Sequence, residues 1–185
     1  MRVISGTARG LKLKAADGFD TRPTADRVKE NIFNMIAPEL PGCKFLDLFS
    51  GTGAIGIEAL SRGAEFAAFV DSSPTAVEVI RHNLDAAKLT DSAMVFRMDF
   101  KHALERFMHE KRKFDVIFLD PPYHAVLAEE ALELIADGGL LDDKGYVVVE
   151  LENGAQLEAP GFDIYKSRDY GASSVVILIP ERAIE

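Results

Sequence analysis

Cysteine is almost missing from this chain. Cys43 is the only one in 185 residues, which excludes an internal disulfide and any zinc site built on cysteines. It precedes an apolar run and reads as a small buried hydrophobe. The four histidines, His82, His102, His109 and His124, have no metal-ligand spacing, so no metal is expected. No apolar stretch approaches the roughly 20 residues a membrane helix needs. The opening residues contain no apolar core of a secretory leader. Repeats, linkers and low-complexity tracts are absent as well. These absences lead us to expect a cytoplasmic protein, free of metal and membrane, folded as one domain over residues 1–185, and a monomer.

Positive charge is in short supply, at 21 Lys and Arg against 30 Asp and Glu for a net charge of -9. Such a balance argues against indiscriminate binding of nucleic acid. The few bases are unevenly placed. The first fourteen residues hold Arg2, Arg9, Lys12 and Lys14 and no acid, and Arg22, Arg27 and Lys29 follow. Residues 1–20 read as a basic hairpin or arm on an acidic body, suited to a confined contact with a polyanion. A solvated surface hairpin is the alternative. For Arg27 and Lys29 the alternative is an exposed helix face, because Val28, Ile32, Phe33 and Ile36 form the buried stripe.

From residue 44 onward, strands and helices alternate. Apolar runs predict strands at Lys44–Leu48, Glu65–Val70, Ser92–Met98, Phe114–Leu119 and Tyr146–Leu151, and helical spacing fills the gaps between them. Phe162–Asp169 and Ser173–Ile179 are joined only by Tyr170-Gly171-Ala172, too short for a crossover helix, so they should pair as an antiparallel hairpin at the sheet edge. The fold class expected is α/β: a mostly parallel, seven-stranded, Rossmann-like sheet with that C-terminal hairpin and an N-terminal β-hairpin extension. Ligands of such sheets bind beyond the carboxyl ends of the strands.

Four residues at one strand end stand out. Asp120-Pro121-Pro122-Tyr123 follows Phe114–Leu119 directly. Two prolines fix φ and remove two amide donors, leaving stiff chain with free carbonyls. The Asp120 carboxylate and Pro121 carbonyl are placed to accept both hydrogens of one planar amino group, with the Tyr123 ring as a platform. An ordinary strand-to-loop turn has similar composition, and the upstream motifs decide between the two.

The first strand runs into Leu46-Asp47-Leu48-Phe49-Ser50-Gly51-Thr52-Gly53-Ala54-Ile55-Gly56. Its G-x-G-x-x-G, with Asp71 ending the next strand 20 residues after Gly51, also fits a dinucleotide fingerprint. Asp47 inside the strand points elsewhere, since a carboxylate there would repel a pyrophosphate and attract an amino-acid ammonium. Ser73 and Pro74 read as N-cap and first helical residue, which leaves Asp71, with Ser72 beside it, to accept ribose hydroxyls. Asp99 ends the third strand and is either a helix cap or a ligand.

The glycine loop resembles the cofactor loop of class I S-adenosylmethionine-dependent methyltransferases. That resemblance implies that Asp99 holds the adenine amino group and that Phe100 packs by its ring. The Asp-Pro-Pro-Tyr loop resembles that of methyltransferases acting on nitrogen. Over essentially its whole length the chain is similar to the RsmD family of 16S rRNA guanine-N2 methyltransferases. The residues that carry the match are Arg2-Val3-Ile4-Ser5-Gly6 through Arg9-Gly10, Thr21-Arg22-Pro23-Thr24 with Asp26-Arg27-Val28-Lys29-Glu30, the glycine loop into Glu58-Ala59-Leu60-Ser61-Arg62-Gly63-Ala64, and Phe118 to Tyr123. The resemblance implies S-adenosylmethionine as methyl donor and one guanine of small-subunit rRNA, in an assembled or assembling particle, as acceptor. RNA contacts are expected from Arg2, Arg9, Lys12, Lys14, Arg22 and Arg27, with Lys166 and Arg168 on the last hairpin adding either a second contact or protection of an edge strand. The rival functions are methylation of adenine N6 in DNA, methylation of a protein glutamine, a nicotinamide-dependent oxidoreductase, and an inactive RNA-binding module.

Overall fold

The computed structural model of the chain describes residues 1–15, 23–122 and 125–181, with the backbone alone at residues 23–25. Thr21, Arg22 and Tyr123 lie outside the described residues. The elements are α1 (Pro23–Met35), β1 (Lys44–Asp47), α2 (Ala54–Ser61), β2 (Phe66–Asp71), α3 (Pro74–Ala87), β3 (Ala93–Arg97), α4 (Phe100–His109), β4 (Phe114–Leu119), α5 (Ala125–Asp137), β5 (Leu141–Glu152), β6 (Phe162–Tyr170) and β7 (Ser173–Pro180). The strands form one seven-stranded sheet in the order β3-β2-β1-β4-β5-β7-β6. β1 to β5 run parallel, and β7 pairs antiparallel with both β5 and β6. The C-terminal hairpin therefore forms as expected, with its second strand inserted between β5 and β6.

Side chains alternate between two cores, one on each face, as the period of two in a strand requires. Phe45, Phe69, Val116, Phe118, Val148 and Ile177 pack with α1, α2 and α3. Leu46, Val70, Ile117, Leu119, Val149 and Leu178 pack with α4 and α5. Strand order reverses between β1 and β4, so the crevice at their carboxyl ends is open to a ligand. Gly56 lets α2 approach the sheet, since a Cβ there would stand 2.3 Å from the Phe69 ring. β5 starts five residues before the expected Tyr146, with Leu141 paired to Phe114.

The N-terminal extension is a hairpin closed by a single antiparallel bridge, Arg2 to Lys12, with Val3 N–H donating to Leu11 O (3.0 Å) and Leu13 N–H to Met1 O (3.1 Å). Val3 and Leu13 are buried in the first core, while Arg2, Lys12 and Lys14 face solvent. This extension is docked, not free. The Glu58 carboxylate on α2 accepts Ile4 N–H (2.8 Å) and Ser5 N–H (3.0 Å), and Ser61 Oγ accepts Ala8 N–H (2.9 Å). Gly6 meets α2 so closely, at φ +83, that a Cβ would lie 1.7 Å from the Ser61 carbonyl oxygen.

Lys29 is a correction to the exposed helix face expected for it. It is 3% exposed, ion-paired to Glu58 at 3.1 Å, and donates to the Arg2 carbonyl. Arg27 is exposed as expected.

Candidate active site

A cavity of about 980 Å³ opens across the carboxyl ends of the parallel strands, at the upper end of the volumes that hold one small ligand. One half is walled by Leu48, Phe49, Gly51, Asp71, Met98 and Phe100, with Ser72 and Asp99 also on this wall, all from the ends of β1 to β3. The other half is formed by Asp120, Pro121, Pro122, Glu150, Glu152 and Ser173, from β4, β5 and β7. Five carboxylates line it (Asp71, Asp99, Asp120, Glu150, Glu152), and no Lys, Arg or His does among the described residues. A ligand that fits must bring N–H donors, hydroxyls or positive charge.

Asp47, expected to meet an ammonium, is not on this wall. It is 1% exposed, and its carboxylate accepts the Gly56 N–H at 3.0 Å. That amide belongs to the first turn of α2, where a dinucleotide fold seats its pyrophosphate. A fixed carboxylate already fills the place, which removes the nicotinamide reading. Burial pushes the Asp47 carboxyl up to about 7; the Gly56 bond works against that shift and the charge of Asp71 adds to it.

An acid whose folded pKa is raised stabilises the fold most at low pH and loses that contribution as pH climbs through the folded value. Asp47→Asn keeps an acceptor for Gly56 and cannot ionise. Its stability relative to the parent, read as urea midpoints, is expected to increase from about pH 4 to about pH 7 and level off above. The ceiling on that difference is about 4 kcal/mol. A flat difference would contradict the buried ionisable pairing.

The glycine turn is held from behind. Ser50 Oγ donates to the Asp47 carbonyl (2.7 Å) and accepts Val70 N–H (2.9 Å). Asn83 on α3, 1% exposed, donates to the Thr52 carbonyl (2.9 Å) and exchanges two hydrogen bonds with the Lys14 backbone. Ser50, Thr52 and Gly53 thus support the loop from behind the cavity wall, and Phe49 and Gly51 face the cavity.

Ser73 caps α3 through Ala76 N–H at 3.3 Å, as expected. Asp71 is only partly free, because Oδ2 accepts Gly51 N–H (2.9 Å) and Oδ1 accepts Ser73 N–H (2.8 Å). One lone pair on each oxygen remains for a ligand, and the two bonds aim the carboxylate. Asp99 does cap α4, accepting Lys101 and His102 N–H through Oδ1, with Oδ2 on the His102 ring. The His102 bonds, backbone first, hold its carboxyl below the ordinary range. Asp99 also lines the cavity, so cap and ligand are compatible. Phe49 and Phe100 make an apolar corner, their ring centroids 5.3 Å apart.

At the β4 end, Pro121 is buried and Pro122 exposed. Asp120 is exposed by area, but the space it faces is the cavity, and protein crowds its carboxylate. Burial, then the charges of Glu150 and Asp47, raise its proton affinity. Glu150 is raised too, by burial, against a hydrogen bond from Ser173. Glu150 is the site residue that motif reading misses. It ends the apolar run Val147-Val148-Val149 as Asp120 ends its own strand, without prolines to mark it.

Of the basic residues, Arg2, Arg9, Lys12, Lys14, Arg27 and Arg168 are exposed and Lys166 is half-buried. Lys166 and Arg168 share a face of β6 with Tyr170, whose hydroxyl reaches Met35 of α1. They therefore lie on the same side of the sheet as the arm.

The family model described as Conserved hypothetical protein 95 matches residues 1–179. The YlbH protein of Bacillus subtilis (strain 168) is 43% identical over 179 residues, covering 96% of this chain and 97% of that protein. Ribosomal RNA small subunit methyltransferase D of Escherichia coli (strain K12) is 33% identical over 173 residues, covering 92% and 85%. The solved structure of yhhF from Escherichia coli superposes with a TM-score of 0.84 at 30% identity, covering 98% of each chain. With a family model over nearly all of its length, and relatives that share its whole extent, the chain belongs to the RsmD family.

Proposed function

We propose that this protein transfers a methyl group from S-adenosylmethionine to the exocyclic N2 amine of a guanine in 16S rRNA. The observation that carries the reading is the single acid-walled cavity that joins the β1–β3 strand ends to the Asp120-Pro121 acceptors. The relatives named ribosomal RNA small subunit methyltransferase D supply the substrate class. The cavity fits the donor: hydroxyls for Asp71, an adenine amine for Asp99, a ring for the Phe49–Phe100 corner, and a cation among carboxylates. When bound, S-adenosylmethionine supplies an electrophilic methyl group on a sulfonium.

The remaining steps fall to this chain's own residues. Asp120 and the Pro121 carbonyl accept the two N2 hydrogens and aim the nitrogen lone pair along the line of transfer. Positive charge develops on that nitrogen, the Asp120 carboxylate, already in place, stabilises it, and one of the two N2 protons is then lost to leave the neutral methylated amine. Tyr123 is assigned as the stacking platform for the unstacked base. Arg2, Arg9, Lys12, Lys14, Arg22 and Arg27, with Lys166 and Arg168, anchor phosphates around an RNA loop. The protein works as a monomeric single catalytic domain on an assembled or assembling subunit.

The test is transfer of label from radioactive S-adenosylmethionine to small subunits from cells lacking this enzyme, beside naked rRNA, DNA and protein. Label on guanine N2 of 16S rRNA is expected. Label only on DNA or protein would overturn the substrate. For the donor site, Asp71→Ala is expected to weaken cofactor binding about 10–100-fold by calorimetry, since two aimed acceptors are lost. Unchanged affinity would remove Asp71 from the site.

A further inference from the structure

Glu150 has no place in the mechanism above, yet it lines the cavity beside the amine-binding loop. Leu119 pairs with Val149 across β4 and β5, so Asp120 and Glu150 are the next facing positions of two parallel strands, which run about 4.8 Å apart. Asp120 directly follows β4, Glu150 lies two residues before the end of β5, and both line the cavity wall. Ser173 lies on the same wall as Glu150, because β7 runs antiparallel and starts where β5 stops, Glu152 facing Ser173. No Lys, Arg or His lines the cavity to neutralise the pair among the described residues. Two crowded carboxylates without a cation call for a row of N–H donors from the ligand.

Substrates with a planar amino group differ in what stands next to it. Beside the adenine N6 amine is N1, a bare acceptor. Beside the cytosine N4 amine is N3, also a bare acceptor. A glutamine amide carries its own carbonyl. Guanine alone among these places a second donor, N1–H, beside its N2 amine. Resting on the guanine reading, we propose that Glu150 determines base specificity: it accepts the guanine N1–H while Asp120 and the Pro121 carbonyl accept the N2 hydrogens. With any of the other three, a lone pair would face the Glu150 carboxylate and both would stay unpaired. Sites built to hydrogen-bond one group reject analogues that lack it by about 10⁴–10⁵-fold. This row of acceptors would also exclude adenine-N6 and glutamine methylation on chemical grounds.

The experiment uses small subunits lacking the methylation, with either guanine or adenine at the mapped position, and three proteins: the parent, Glu150→Gln and Glu150→Asp. The parent should label guanine and leave adenine untouched. Glu150→Gln, which can turn an N–H toward an adenine N1, should lose about 100-fold in kcat/KM on guanine and gain measurable label on adenine. Glu150→Asp keeps the charge and should refuse adenine while working more slowly on guanine. Cofactor affinity by calorimetry and the thermal melt certify that each variant is folded. Undiminished guanine turnover in Glu150→Gln, or lost turnover with adenine still refused, would overturn the proposal. Absence of guanine label with the parent would instead overturn the function on which it rests.

Discussion

Replacing Asp120 with alanine is expected to lower kcat for methyl transfer about 10³-fold while the cofactor Kd changes by only a few-fold. Asp120 stands on the β4 side of the cavity, away from the Asp71, Asp99 and Phe100 wall, so its loss falls on the acceptor half. The magnitude follows from what such groups do elsewhere: removing one preorganised partner of developing charge costs about 10²–10³ in kcat. Asp120→Asn keeps one acceptor oxygen and loses the charge, and should fall between. The pH profile separates charge from shape. Burial and the charges of Glu150 and Asp47 raise the Asp120 proton affinity, so the ionised, active form is depleted at low pH. Parent turnover should climb as pH rises through the shifted range, and Asp120→Asn should flatten that limb. Single-turnover rates across pH, with calorimetry for the cofactor, decide the matter. Parent-like turnover in the alanine variant would refute the role.

The largest effect on stability is expected at Glu58. This carboxylate is 0% exposed and accepts four donors: Ile4 and Ser5 N–H, the Arg62 guanidinium at 2.8 Å and the Lys29 ammonium at 3.1 Å. Burial pulls the Lys29 pKa down and the Glu58 charge pulls it back up, so the ammonium depends on its partner. Glu58→Gln replaces one acceptor oxygen with a donor that faces donors. Breaking one side of a buried pair costs about 3–5 kcal/mol, which for a chain of this size lowers Tm by roughly 6–20 °C. The loss is specific. Adding Lys29→Met to Glu58→Gln removes the stranded ammonium and should recover part of the Tm. Because Glu58 holds the Ile4 and Ser5 amides of the docked arm, Glu58→Gln should also raise proteolysis within residues 1–14 before the rest of the chain. No recovery in the double variant would mean that the two residues are not coupled.

The sheet was legible because its strands end abruptly. Each parallel strand is an apolar run cut by an acid or a turn, and the strand-end rule that finds Asp71, Asp99 and Asp120 needs nothing else. The first half of β5 was hidden by Asp142-Asp143-Lys144, charges on a segment whose pairing with Phe114 is visible only in three dimensions. Lys29 was misjudged by residue type although its spacing to Ile32, Phe33 and Ile36 is that of the buried stripe. What made burial tolerable was Glu58, 29 residues away in sequence, and such a pairing has no local signature. Asp47 shows the same limit. Its presence in the strand was an informative anomaly, but the amide that claims it lies nine residues on. Three of the five cavity carboxylates, Asp71, Asp99 and Asp120, were readable from strand ends, whereas Glu150, Glu152 and the opposition of Asp120 to Glu150 needed the register of β4, β5 and β7.

The placement of β7 has a consequence for how the molecule is made. β7 is the last strand of the sheet to leave the ribosome, yet it lies between two strands synthesised before it. Until residues 173–180 emerge, β6 has no neighbour and β5, paired with β4 on one side, presents an open edge on the other. Ser173, on the cavity wall, arrives with the same strand. Joining of β6 to the sheet and completion of the pocket wall by Ser173 therefore come with one strand.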